Sequence, residues 1–341
     1  MPLETTTVIL DCPQNARDSP GCILKMSAKR YYTRESMNHF KGLTLLFAHC
    51  VGGHKEQWEP TIERIFELRH SQVFEAWTFD WQTHGDSAIL NQEVLKTSPS
   101  RVYGVCTAAE WSEAIAAFAR SPRMQGRHIV LIAHSAGAGA MVLATKNHSI
   151  SYTAMILVEP TIISPELFYR QVDERVATME FAVTLTLTRR ERWKSRQDAY
   201  AWLARRLPWD SWDPRALRKF TDHGLADVPD GTVMIKTDRR HEALSYTDTE
   251  SHFAAAAELG KISKMIPVHF IWGTENPLVP HFVQEALADG TDGRKAASVT
   301  RVKGGHLLVQ EEPDRLSDAI CAILDTLPGE HDSRARHRSR L

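Results

Sequence analysis

The run His128-Ile-Val-Leu-Ile-Ala133-His134-Ser135-Ala136-Gly137 puts a serine where a buried strand gives way to a helix. A serine at that joint can be an acyl-transfer nucleophile, because the turn lifts its Oγ out of the sheet and the helix N-terminus aims backbone N–H groups at an oxygen gaining negative charge. The same residues also suit a plain strand-to-helix turn of small side chains, so chemistry requires partners. One set of partners lies upstream in Leu45-Leu-Phe-Ala-His49-Cys50-Val51-Gly52-Gly53-His54, a glycine-containing turn after another strand. Acyl transfer needs two donors converging on the tetrahedral oxygen, and the expected pair is the N–H of Val51 and of Ala136. The alternative is an ordinary glycine-rich turn. The other partner lies downstream in Lys303-Gly304-Gly305-His306, a histidine on a loop after the last strand. Among sixteen histidines it is the best placed general base, since two glycines give its loop the backbone latitude to reach a distant serine. The segment Asp80-Trp-Gln-Thr-His84-Gly85-Asp86-Ser87 reads instead as loop scaffolding.

These groups need a frame, and the apolar runs supply one. Short strands are predicted at Thr6–Leu10, Ile23–Tyr31, Leu43–Ala48, Val73–Phe79, His128–Ala133, Ala154–Val158, Ile266–Trp272 and Ala297–Val302. Helical spacing runs through Glu56–Arg69 (Trp58, Ile62, Ile65, Phe66) and Ala108–Arg120 (Trp111, Ile115, Phe118). Strands alternating with helices predict an α/β fold with a doubly wound, mostly parallel, eight-stranded sheet. Residues 160–265 differ: they are highly charged and rich in helix-start signals, at Ser164-Pro165, Ser195 with Asp198, and Asp213-Pro214, with Gly224 suited to a helix C′ position. They read as a helical cap (lid) inserted into a core of residues 1–159 and 266–329. Residues 330–341 read as a flexible C-terminal tail.

Composition narrows the class. With 43% hydrophobic and 24% charged residues and a net charge of −1, the 341-residue chain has no global attraction for nucleic acid or an anionic membrane. No stretch approaches the roughly 18 apolar residues of a membrane span, and the N-terminus lacks a basic region followed by an apolar run. Five scattered cysteines without Cys-x-x-Cys spacing read as reduced intracellular thiols. No clustered His/Cys/Asp pattern offers a metal site, and no cofactor is expected.

Four motifs in order, namely strand-His49-x-x-Gly, Asp80…His84-Gly-x-Ser87, strand-x-His-Ser135-x-Gly, and Gly305-His306 followed by Glu312-Pro313, resemble the α/β-hydrolase superfamily over nearly the whole chain. Within it, His49…Gly-His54-Lys55-Glu56-x-Trp58 and Trp212-Asp213-Pro214…His223-Gly224-Leu225 look like a subgroup of peroxisomal hydrolases from fungal toxin and secondary-metabolite pathways, such as acyl-CoA hydrolases of the mycophenolic-acid pathway type. The resemblance implies a Ser-His-acid triad. Its commonest acid position, after the next-to-last strand in Trp-Gly-x-x-Asp, here reads Trp272-Gly273-Thr274-Glu275-Asn276, and an amide cannot balance an imidazolium. Glu159 ends the strand predicted beside the serine strand, where parallel sheets put their chemistry. It is the expected acid, with Glu275 the alternative.

The resulting expectation is a serine hydrolase working through an acyl-enzyme on a thioester, that is, an acyl-CoA hydrolase. A carboxylesterase or lipase acting on a small ester, or a hydrolase-fold protein that binds a small molecule without turning it over, are the alternatives. The terminal Ser339-Arg340-Leu341 is a variant of the Ser-Lys-Leu address read by the peroxisomal import receptor, which predicts the peroxisome matrix. In the cap, Arg189, Arg190, Arg192, Lys194, Arg196, Arg205 and Arg206 could meet CoA phosphates or form a solvated face balanced by nearby acids. The oligomeric state stays open, a homodimer included.

Overall fold

The computed structural model describes residues 2–15, 18, 21–97, 106–147, 149–275 and 278–327. Its main sheet is built from β1 (Glu4–Asp11), β2 (Lys25–Tyr32), β3 (Leu43–Ala48), β4 (Val73–Phe79), β5 (His128–His134), β6 (Tyr152–Val158), β10 (Val268–Gly273) and β11 (Ser298–Val302). The spatial order is β1-β2-β4-β3-β5-β6-β10-β11. β1 and β2 are antiparallel to their neighbours, and every pairing from β4 to β11 is parallel. All eight predicted strands are present.

The near-continuous apolar sequence of the central strands follows from their being covered on both faces. Leu45, Phe47, Val130, Ile132, Ile156 and Val158 point to one side, against Ile62, Ile65 and Phe66 of the helix Glu59–Arg69 and Leu316, Ile320 and Leu324 of the helix Pro313–Leu324. Their neighbours Leu46, Ala48, Leu131, Ala133, Met155 and Leu157 point to the other. There they share a core with Trp111 and Ile115 of the helix Ala108–Ala119, the helix Ala136–Leu143, and Ala255, Ala256 and Leu259 of the helix Thr249–Ile262.

Between β6 and β10 the chain leaves the sheet. The stretch expected as a helical cap holds helices such as Val172–Thr188 and Pro214–His223 and, in addition, a small antiparallel sheet of β7 (Arg192–Trp193), β8 (Leu225–Asp227) and β9 (Val233–Ile235), ordered β7-β9-β8. A separate core of Trp193, Leu203, Leu217, Phe220, Leu225, Val233 and Ile235 closes it. The helix Thr249–Ile262, at the end of the same stretch, packs with the main sheet instead. Ser164, Ser195 and Asp213 do cap their helices, accepting from the backbone N–H of Leu167, Asp198 and Arg215. Gly224 is the cap residue itself at φ −79°, so the left-handed C′ geometry expected of it is absent. No helix among the described residues is long and apolar enough to cross a membrane.

The insert meets the core beside a cluster of charge that is buried at Lys55 and Asp80. Lys55, 1% exposed, follows the loop after β3 and sends its Nζ to Asp80 at 2.9 Å, Asp86 at 2.6 Å and Glu56 at 3.1 Å. Asp80 also accepts the N–H groups of Lys55 and Asp86, both at 2.8 Å. The second oxygen of Asp86 takes Lys236, just past β9, at 2.6 Å. Asp80 thereby anchors Lys55 and the start of the helix Gly85–Leu90, so the segment expected as a loop is part loop and part helix, with a structural role. Removing one partner of such a cluster strands a buried charge, so Lys55→Met should cost about 3–5 kcal/mol of stability. Denaturant unfolding of the variant checks this; a loss below about 1 kcal/mol, the range of an exposed pair, would show the cluster to be solvated.

Candidate active site

Strand register brings the proposed groups together. His134 pairs with Val158 across β5 and β6, and Ile271 pairs with Val158 across β6 and β10. The next residues, Ser135 and Glu159, thus leave the ends of adjacent strands side by side, with Ser135 N–H donating to Val158 C=O at 3.0 Å and Glu159 N–H to Ile271 C=O at 2.9 Å. Both turn sharply, at φ 55° and 50°, in the left-handed region that L side chains avoid. β11 then delivers the loop Lys303–His306 to the same edge.

The side chains form a continuous chain of hydrogen bonds. Ser135 Oγ–H donates to His306 Nε2 at 2.9 Å, and His306 Nδ1–H donates to Glu159 Oε2 at 3.1 Å. Glu159 has no exposed surface, and its other oxygen accepts the N–H of Gly273 at the end of β10. Burial pushes His306 down to about 4, which leaves its imidazole neutral and able to accept a proton near pH 7. Glu275, the alternative acid, is exposed on the loop after β10, where its backbone N–H donates to Gly304 C=O at 2.9 Å. Asn276 lies outside the described residues.

The expected oxyanion donors lie on a helix start and on a loop that touch each other. Ala136 is the first residue of the helix Ala136–Leu143, so its N–H has no acceptor within the helix. Val51 sits in the turn that Gly53 N–H closes on Cys50 C=O at 3.0 Å. The two elements press together at Gly137, where an added Cβ would lie 2.4 Å from the carbonyl oxygen of His49; only glycine allows that approach. His49 itself ties the turn to the sheet, its Nδ1–H donating to Cys50 C=O at 2.7 Å and its Nε2 accepting Trp81 N–H at 3.1 Å.

Two supporting residues escaped the sequence reading. His134, fully buried and pushed by burial down to about 3, donates from Nε2 to the backbone carbonyl of His306 at 2.8 Å. Glu311 accepts Gly305 N–H at 2.6 Å, so the base-bearing loop is held at two successive residues. Their positions beside Ser135 and behind Gly305-His306 were the available signals. The basic residues of the insert are largely spoken for: Arg189 pairs with Glu242, Arg190 with Asp198, Arg192 with Asp230 and Arg196 with Asp227, while Arg206 lies over the Trp202 ring. That pattern fits a balanced face. Ser339-Arg340-Leu341 and the rest of the 330–341 tail lie outside the described residues.

Comparison with known proteins agrees with this frame. The type I acyl-CoA thioesterase mpaH of Penicillium brevicompactum is 26% identical over 223 residues, 62% of this chain and 48% of that protein. The abhydrolase domain-containing protein ACTT2-1 of Alternaria alternata is 30% identical over 124 residues, 35% of this chain and 44% of that protein. The chain spans about half the length of the curated relatives it matches. The structure of the peroxisomal alpha-beta-hydrolase Lpx1 from Saccharomyces cerevisiae superposes with a TM-score of 0.72 over 99% of this chain and 96% of that one, at 16% identity, a likeness of fold. The alpha/beta hydrolase family matches residues 45–319, from the strand before the Val51 turn to the last helix, and the chain belongs to it.

Proposed function

We propose that this chain is a serine hydrolase that cleaves an acyl thioester, with coenzyme A as the leaving group, through a Ser135–His306–Glu159 triad. The observation that carries the reading is the hydrogen-bond chain from Ser135 Oγ through His306 to Glu159. Ser135 Oγ attacks the acyl carbonyl as His306 Nε2 takes its proton, and the carbonyl electron pair moves onto oxygen, held by the N–H groups of Val51 and Ala136. Glu159 fixes the imidazole tautomer and balances the imidazolium. Collapse of the intermediate expels the thiol, and a water activated by His306 then releases the acid. The thioester is chosen because mpaH is an acyl-CoA thioesterase. The insert at 160–265 acts in this reading as a cap over the edge that carries Ser135.

A folded Ser135→Ala variant should lose about 10⁴-fold or more in kcat, His306→Ala a similar amount, and the double variant little more, because triad members act as a unit. Assays against acyl-CoAs of varied chain length, beside simple esters, locate the substrate class; turnover confined to esters would move the reading to a carboxylesterase. Labelling of Ser135 by a fluorophosphonate separates an enzyme from a silent binder, which would resist it.

Glu159→Gln keeps shape and removes charge, so kcat should fall by about 10⁴, as when a triad carboxylate becomes an amide. Glu275→Gln should leave it near wild type. Thermal unfolding run alongside keeps misfolding apart from lost chemistry, and the opposite ranking would move the acid to the loop after β10.

The base must be neutral to work, so activity is lost as pH falls through its pKa. With burial holding His306 at about 4, kcat/KM should stay level from pH 7 to pH 5, where an ordinary histidine would already be charged, and drop below it. A pH profile with a limb at the ordinary histidine value of about 6.5 would contradict this.

We further propose residence in the peroxisome through Ser339-Arg340-Leu341. Deleting these three residues should move an N-terminally fluorescent fusion from peroxisomes to cytosol without changing activity in vitro. Identical distribution of the two fusions would show the tripeptide to be coincidental.

A further inference from the structure

The turn that carries Val51 is gripped from two sides. On the sheet side, His49 bonds both Cys50 C=O and Trp81 N–H. On the other side stands Glu242, from the helix Arg239–Ser245 of the insert. Gly52 adopts φ +73°, and a Cβ built on it would lie 2.8 Å from Glu242 Oε1 and 3.2 Å from the carboxyl carbon, so the carboxylate rests directly against this backbone. Glu242 is 2% exposed, and its two oxygens receive the two terminal nitrogens of Arg189 at 2.5 Å each. A bidentate guanidinium fixes the plane of a carboxylate as well as its charge. Arg189 in turn follows directly on the helix Val172–Thr188, so the whole brace belongs to the insert.

A carboxylate is an awkward neighbour for a site that must stabilise an oxyanion. Paired with Arg189 it contributes little net charge. What remains is shape, a rigid wedge on Gly52 beside the Val51–Gly52 peptide. Oxyanion donors work only within about 2.7–3.1 Å of the developing charge, so a displacement of the turn by a fraction of an ångström is felt in the rate.

We propose that Glu242, locked by Arg189, is a positioning residue that sets the Val51 N–H for the oxyanion, so that the insert completes the catalytic site; this rests on the serine-hydrolase reading and on Val51 as a donor. The interaction acts on the tetrahedral state, and its loss should spare ground-state binding.

The test uses the full chain with Glu242→Ala, Glu242→Gln and the double variant Arg189→Met with Glu242→Gln, which leaves no stranded charge and carries the test where a single variant fails to fold. Two ligands serve as probes. One is a trifluoromethyl ketone thioether, to which Ser135 Oγ adds, its proton passing to His306 and the carbonyl pair to oxygen; the other is the matching thioether with methylene in place of the carbonyl. Expected for Glu242→Ala is a fall in kcat of about 10- to 100-fold with KM within about threefold, short of the loss from deleting a donor outright. The ketone should weaken by the same factor and the methylene compound should bind unchanged. Wild-type kcat in folded variants, or a loss carried by KM and by the methylene compound, would overturn the proposal and make Glu242 a structural or substrate contact. If Ser135→Ala keeps its turnover and the wild type ignores the ketone, the serine-hydrolase reading itself fails; if Ser135 is essential and Glu242 indifferent, only this inference does.

Discussion

Parallel strands covered by helices on both faces leave polar chemistry nowhere to emerge except at their ends. Everything at the candidate site follows from that constraint. β5, β6 and β10 are hydrogen-bonded in a register that sets His134, Val158 and Ile271 level with one another. Ser135 and Glu159 therefore need no long loops to meet; each is the first residue past its strand. The cost is local. Two non-glycine residues held at positive φ store on the order of 1–3 kcal/mol each, which persists only where the surroundings over-determine the backbone. Here each strained residue still gives its N–H to the neighbouring strand, so the strain sits on backbone that the sheet holds in place.

The same geometry lets a carboxylate just past β6 reach the His306 imidazole. Glu159 lies one strand from the serine and two from β11, and its side chain bridges the gap by bonding His306 with one oxygen and the β10 terminus with the other. Gly273, the last residue of β10, thus contributes a backbone amide to Glu159. That amide steadies Glu159 without adding a second negative charge beside the first, which would raise the pKa of both. The loop that carries the imidazole is also held apart from Glu159, by His134 at the His306 carbonyl and by Glu311 at the Gly305 amide.

How much of this was legible in the sequence depended on range. Strands such as Leu43–Ala48 and His128–His134 announce themselves because a doubly covered strand is apolar throughout, and Ser135 and His306 follow from their places after strands. β7 to β9 were not legible, since two or three residues are too few to display a period of two. Lys55 and Glu242 were invisible for a different reason: a charged residue reads as surface until its partner is known, and Asp80 and Arg189 lie far away along the chain. The ends of helices in the insert were legible at Ser164, Ser195 and Asp213, whose caps are local. Gly224 misled because glycine after a helix signals conformation, whereas here an added Cβ would lie 2.7 Å from Phe220 O and 3.3 Å from His54 Cδ2.

Two of the contacts that charged side chains make between insert and core have one thing in common. Lys236 on Asp86 and Glu242 on Gly52 both lie where the insert meets the loops after β3 and β4, while the apolar residues around Trp193 and Phe220 form a core of their own. Apolar contact is tolerant of sliding; a carboxylate held by a bidentate guanidinium, or one shared between two ammonium groups as Asp86 is between Lys55 and Lys236, has one good arrangement and many poor ones. Charge at this boundary therefore contributes less to holding the insert on than to deciding where it sits. Since one of those contacts bears on Gly52, the placement of the insert and the geometry of the Val51–Gly52 turn are mechanically linked.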